Sequence, residues 1–233
     1  MKAHQLLDLA VAWMRETYPG SLIVNEFSVA DWGGARVDVA AITENEIVGV
    51  EIKGDGDSPA RLDLQGHVYG RVCRKMWLLP SAGLQDKCFG KRPAGWGRLE
   101  VIDGAVRPYN RATKLGERIP TPRGGYTYET LRDESRFDPC APSEGKFLCP
   151  RSMCGTLWRD ELFAIAKAYQ LKVTQRPHVH ILTDVICEQL PAPAIHTAMI
   201  KALRRRVWRK PIIDTRFHPG ALGDVQEATG TLL

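Results

Sequence analysis

Residues 36–69 read RVDVAAITENEIVGVEIKGDGDSPARLDLQGHVY, and their pattern decides the fold. Two runs rich in β-branched residues, 36–42 and 47–53, flank the polar segment Thr43–Glu46. That arrangement is the signature of a β-hairpin. An even-numbered turn centred on Glu44-Asn45 sets Asp38 opposite Glu51, Arg36 opposite Lys53 and Ala40 opposite Gly49. Side chains alternate along a strand, so Glu51 and Lys53 share one face with Asp38. Val37, Val39, Ala41, Val48, Val50 and Ile52 fall on the other face, as core. Like charges directly opposite each other are destabilising unless something neutralises them. A divalent cation would do so, and the small pair Ala40 and Gly49 would leave space beside it.

The hairpin is followed by a loop at 54–57, then Ser58 as a helix N-cap and Pro59 at the first helical position. The helix is expected to run to about Cys73, with Arg61, Gln65 and Tyr69 on one stripe. Lys75–Leu79 reads as a buried strand ended by Pro80. Upstream, Leu6, Leu7, Ala10, Val11 and Met14 recur at helical spacing and predict an amphipathic helix over 3–17. Residues 21–29 read as a strand carrying Glu26, and Asp31–Gly34 as a turn. Downstream, 97–102 and 105–109 form a second hairpin around Asp103-Gly104.

Two carboxylates and a lysine on adjacent strands suit phosphodiester hydrolysis. Asp38 and Glu51 offer hard oxygen ligands for Mg²⁺ or Mn²⁺, with the Ile52 carbonyl as a further ligand. Such a metal generates a hydroxide nucleophile and stabilises the leaving oxygen. Lys53 can orient the water and offset transition-state charge. Gln65 and Tyr69 can hold a substrate phosphate if the helix lies against the hairpin. Arg61 has two readings, a phosphate contact or a pair with Asp57 one turn back. Arg36 equally contacts substrate or holds Glu51 in place.

At these residues the chain resembles the PD-(D/E)XK nuclease superfamily. The order helix, strand, hairpin with Asp38 and Glu51-Ile-Lys53, helix, strand is that of its core, although Val37 stands where the family's proline would be. Gln65-x-x-x-Tyr69 resembles the signature of the RecB-like and lambda-exonuclease-like branches. The wider pattern is Asn25-Glu26, Arg36-Val-Asp38, Glu51-Ile-Lys53, Asp57-Ser58, Arg61-Leu62, Gln65 and Tyr69, with Leu157–Glu161 further on. It is similar to small bacterial and phage proteins of the superfamily related to DNA repair. The resemblance implies an α/β, restriction-endonuclease-like core with a central mixed sheet flanked by helices, and a mainly helical C-terminal region. It implies a metal-dependent nuclease cutting DNA in repair, recombination or phage DNA processing. Asp38 and Glu51 would be metal ligands, Lys53 catalytic, Gln65 and Tyr69 lining the site, and Glu26 an upstream acid assisting the metal. A surface strand residue is the competing reading of Glu26. It also implies a partner pattern of homodimers or larger DNA-processing complexes. Two other functional classes stay open: a non-catalytic DNA-binding or regulatory protein on the same fold, and an RNA nuclease.

The 233 residues suffice for a sizeable core, and 44% hydrophobic with 25% charged residues excludes wholesale disorder. The net charge of +5 suits a polyanionic partner. No apolar run is long enough to span a membrane, and Asp8, Arg15 and Glu16 interrupt the N-terminal apolar stretch as a signal peptide would not be interrupted. Six cysteines without regular spacing read as reduced thiols, which favours the cytoplasm. Cys140, Cys149 and Cys154 do not have the spacing of a standard zinc site. The composition divides the chain into a core at 1–111, a Pro/Gly/Arg/Ser-rich linker or insertion at 112–155, and a helical region at 156–233. Helices are expected at 157–170, about 180–190 and 193–209. The last carries Lys201, Arg204, Arg205, Arg206 and Arg209, a candidate phosphate-backbone surface or a solvated helix face.

Overall fold

The computed structural model describes residues 1–29, 35–93, 95–112, 148–174 and 177–208. The chain runs α1 (Ala3–Thr17), β1 (Leu22–Val29), β2 (Ala35–Ile42), β3 (Ile47–Lys53), α2 (Leu62–Tyr69), β4 (Lys75–Pro80), α3 (Gln85–Gly90), β5 (Gly97–Ile102) and β6 (Ala105–Asn110). The C-terminal region adds α4 (Pro150–Gly155), α5 (Arg159–Ala168), α6 (Val179–Gln189) and α7 (Ala192–Arg205). The fold is α/β, with a six-stranded sheet in the order β1-β2-β3-β4-β5-β6. The two hairpin pairs and β1 are antiparallel to their neighbours, while β3, β4 and β5 run parallel, so the sheet is mixed. α2 is the crossover that parallel β3 and β4 require.

Both sheet faces are covered. α1 lays Leu6, Ala10, Val11, Trp13 and Met14 on Ile23, Val39, Val48, Val50 and Leu79. Trp13 meets Trp77 edge to face at 5.1 Å. The opposite face joins Leu22, Val24, Phe27 and Met76 to α2 and to the helices α4–α7 in one continuous apolar cluster. The sheet and the C-terminal helices thus share a core.

The predicted hairpin register is present as far as the ladder runs, with Val39 opposite Val50, Ala40 opposite Gly49 and Ile42 opposite Ile47. Thr43 closes the turn by accepting from the Asn45 and Glu46 amides and donating to the Glu46 carbonyl. Two expectations fail. Val37 packs with the Phe27 cluster, not with Val39. Alternation breaks beside it: Glu26, across on β1, has a left-handed φ of 54°, a conformation that L side chains seldom adopt and that turns the strand. Nor is there space at Gly49. A Cβ there would lie 2.4 Å from Met76 Sδ and 2.8 Å from Val37 Cγ1, so Met76 and Val37 fill the space expected beside the Asp38–Glu51 pair.

Two short helices were not read from the sequence: α3, between the strand ended by Pro80 and the second hairpin, and α4, inside the stretch assigned to the linker. α2 ends at Tyr69 with Gly70 as its C-cap, one turn before Cys73. The turn Asp31–Gly34, most of 112–155, Cys140 and Arg209 lie outside the described residues. Among the described residues no helix is long and apolar enough to cross a membrane.

Candidate functional site

The β2–β3 ladder stops at Val39 and Val50, one residue short of Asp38 and Glu51. There the strands part, and the Asp38 carboxylate replaces the missing backbone acceptor: the Ile52 amide donates to Asp38 Oδ2 at 2.7 Å. Carbonyls alternate sides along a strand. The Lys53 carbonyl accepts from the Ser81 amide beyond β4. The Ile52 carbonyl therefore points the other way, to the side of Asp38.

Glu51 and Lys53 project on the α2 side and are almost fully buried, at 2% and 8% exposure. Lys53 Nζ donates to Glu51 Oε1 at 2.6 Å and to Gln65 Oε1 at 3.2 Å. Gln65 Nε2 donates to the same Glu51 oxygen at 2.6 Å and reaches Tyr69 Oη at 3.3 Å. Tyr69 Oη in turn donates to the Arg36 carbonyl. The i, i+4 spacing of Gln65 and Tyr69 sets both on one stripe of α2, over the diverging strands. Tyr69 is backed by the buried Trp96 ring, parallel to it within 11° at 6.1 Å. Burial pushes the Tyr69 hydroxyl above its ordinary range, so it stays a neutral donor.

Glu51 Oε2 is buried with no hydrogen-bond partner among the described residues. Burial raises the Glu51 carboxyl, against the lowering pull of Lys53 and of its hydrogen bonds. Asp38 is raised to about 7, first by burial and then by the charge of Glu51. An unpartnered buried carboxylate oxygen beside a desolvated second carboxylate is costly without a cation. With the Ile52 carbonyl, these groups form an all-oxygen donor set, and its chemistry fits a hard divalent ion that keeps several waters. Among the described residues no three His, Cys, Asp or Glu side chains cluster to hold a metal. Glu26 is turned away to Arg36, whose Nη1 donates to Glu26 Oε2 at 2.9 Å. The same contact answers the question about Arg36: it holds Glu26, not Glu51, and its β-partner is Ser28, not Lys53.

These groups line an open cleft of about 570 Å³. Asp38, Glu51, Ile52, Lys53, Glu26, Arg36, Arg61, Gln65 and Tyr69 all border it. Arg61 is exposed on the turn leading into α2, and Asp57 accepts from the Gly54 amide. Asn25 of β1, the first residue of the wider motif pattern, also lines the cleft, and so does His4 of α1, which nothing in its local sequence singled out. The available signal for His4 was the stripe Ala3, Leu7, Ala10, Met14, which carries the first turn of α1 to the end of the sheet.

The basic C-terminal residues divide. Arg206 is buried against Glu161 at 2.5 Å, donates to the Thr156 carbonyl, and lies over the Trp158 and Trp208 rings. Arg204 donates to the Ile42 carbonyl at 2.9 Å and tethers α7 to β2. Both act inside the fold. Lys201 and Arg205 are exposed. Cys149 and Cys154 are buried free thiols, and Cys149 Sγ caps α4 by accepting from the Ser152 amide.

A family model described as Bacteriophage P4 protein cII matches residues 4–81, about a third of the chain. That segment runs from α1 through β4 and includes every residue of the cleft from His4 to Tyr69. No curated protein and no solved structure matches the chain significantly.

Proposed function

We propose that this chain is a divalent-metal-dependent nuclease that hydrolyses DNA phosphodiester bonds, built on a restriction-endonuclease-like core. The observation that carries the reading is the unpartnered, buried Glu51 Oε2 beside desolvated Asp38, with Lys53 and Gln65 gripping the other Glu51 oxygen. Asp38, Glu51 and the Ile52 carbonyl would hold Mg²⁺ or Mn²⁺. When bound, the metal would supply Lewis-acid activation of a water and of the scissile phosphate. Gln65 fixes Lys53 and Glu51 relative to each other. Lys53 directs its ammonium at the carboxylate oxygens, where it can order a water and offset charge developing on the phosphate. Tyr69 fixes α2 against β2 through the Arg36 carbonyl. Choice of DNA over RNA rests on the resemblance to PD-(D/E)XK nucleases. The bacteriophage family match over the same segment supports a phage setting.

Incubation of the purified full chain with Mg²⁺ or Mn²⁺ and linear, circular, single-stranded and branched DNA tests the reading. Cleavage is expected, with loss of about 10²-fold or more in Glu51→Ala and Lys53→Ala. Cleavage that persists unchanged in both variants overturns it. Salt-sensitive DNA binding with no hydrolysis on any substrate would assign the chain to the non-catalytic alternative.

A further inference from the structure

The cleft's charged groups are mostly committed to one another. Lys53 is tied to Glu51, Arg36 to Glu26, and Asp57 to the Gly54 amide. Among the described residues two basic side chains on the cleft wall have no hydrogen-bond or ion-pair partner, His4 on α1 and Arg61 at the entry to α2. Both are exposed and stand on walls supplied by different elements.

The position of His4 is built in. The Asp55 amide donates to the Met1 carbonyl at 2.9 Å, joining the start of the chain to the loop after β3. A Cβ at Gly54 would come within 2.3 Å of the Ala3 backbone nitrogen, so only glycine lets α1 approach this closely. The buried stripe of α1 then fixes the helix on the sheet. The contact carries the first turn of a 15-residue helix to the cleft, where the positive end of the helix dipole adds to the field. A phosphodiester approaching Asp38 and Glu51 meets two carboxylates. It needs donors on the outer side, and among the described residues His4 and Arg61 are the uncommitted basic ones.

We propose that His4 is a substrate-contacting residue, which with Arg61 binds the phosphate oxygens of a nucleic-acid strand entering the cleft between α1 and α2. The proposal rests on the phosphodiesterase reading for its substrate class, and it assigns to α1 a binding role outside the acid-acid-lysine set.

The test compares full-length wild type, His4→Ala, His4→Gln, Arg61→Ala, Glu51→Ala and His180→Ala, the last an exposed imidazole on α6 remote from the cleft residues in sequence. Binding of a short fluorescein-labelled duplex and of its single strand is measured by anisotropy with Ca²⁺ replacing Mg²⁺. Cleavage is measured with Mg²⁺. His4→Ala and Arg61→Ala are each expected to raise Kd about tenfold, as loss of a charge-assisted contact does. They should raise KM with kcat nearly kept. His4→Gln, which keeps a donor, should recover part of the loss, and His180→Ala should match wild type. A His4→Ala protein that binds and cuts like wild type overturns the proposal, as does a wild type that binds neither DNA. If His4→Ala weakens binding but wild type cuts nothing, the phosphodiesterase reading falls and the His4 contact stands. If Glu51→Ala abolishes cutting while His4→Ala is silent, the reverse holds.

Discussion

Gln65 holds Glu51 and Lys53 with the two ends of one amide. Its Nε2 donates to Glu51 Oε1 at 2.6 Å while its Oε1 accepts from Lys53 Nζ at 3.2 Å. The amide does this with separate atoms, an NH₂ that donates and a carbonyl oxygen that accepts. Gln65→Leu removes both bonds and leaves the buried pair without its brace. Urea unfolding should show a loss of roughly 2 kcal/mol, since partnerless buried polar groups cost that order. Gln65→Glu should cost more, because it sets a third carboxylate against Glu51. Stability equal to wild type in both variants would contradict the brace.

The pH dependence follows from Asp38. Its carboxyl is raised to about 7 in the folded protein by burial and by Glu51, against about 4 in the unfolded chain. Between those values the folded state keeps a proton that the unfolded state has lost. Metal-free stability is therefore fully present below about pH 4 from this group, and it falls as pH rises through about 7. Asp38→Asn should flatten that slope in thermal melts across the window. Binding of Mg²⁺ requires the ionised carboxylate, so added Mg²⁺ should raise the melting temperature more at pH 8 than at pH 5. A wild-type slope preserved in Asp38→Asn would refute the assignment to this residue.

Gly49 should tolerate no side chain without repacking. Gly49→Ala places a methyl against Met76 Sδ and Val37 Cγ1. Overpacking of this kind costs about 1–3 kcal/mol. Met76→Val, which withdraws the sulfur and its methyl, should be costly alone but should recover part of the loss in the double variant. A double-mutant cycle by chemical denaturation reads the coupling directly. Strict additivity would mean that Met76 is not the obstacle.

The basic residues near the end of α7 should separate by assay. Arg206→Ala takes the cation from half-buried Glu161, which keeps the Trp158 amide as a donor, and should cost about 1–3 kcal/mol. Lys201→Ala and Arg205→Ala should leave stability within about 0.5 kcal/mol, as exposed substitutions do. Any effect of these two would appear in DNA affinity and its salt dependence. A mild Arg206→Ala would show that its pair with Glu161 contributes little.

Much of the sheet was readable because its determinants are local. Period-two alternation and a four-residue turn place Ala40 against Gly49 without knowledge of anything else in the chain. The side taken by Val37 was not readable, because the left-handed Glu26 on the neighbouring strand resets the alternation and no rule for a single strand contains it. The residues of the acid-acid-lysine set were legible by type and spacing, and their burial was not. A strand face with Glu51 and Lys53 reads as solvent-facing until α2 is seen to cover it. His4 was invisible for a related reason: 34 positions separate it from Asp38, and only the approach of Ala3 to Gly54 brings it to the cleft. Arg204 and Arg206 looked like a surface because their partners, Ile42 and Glu161, lie far away in sequence.

The apolar cluster that underlies Glu51 and α2 also contains Leu148, Met153, Leu162, Ile186 and Leu203. The candidate site and the last helices consequently rest on one core. A fragment trimmed near residue 111 would expose to water the part of this apolar face that the last helices cover. Substitutions in the distal helices can then extinguish the site while touching none of its polar atoms, and a genetic screen for loss of function would map many hits there.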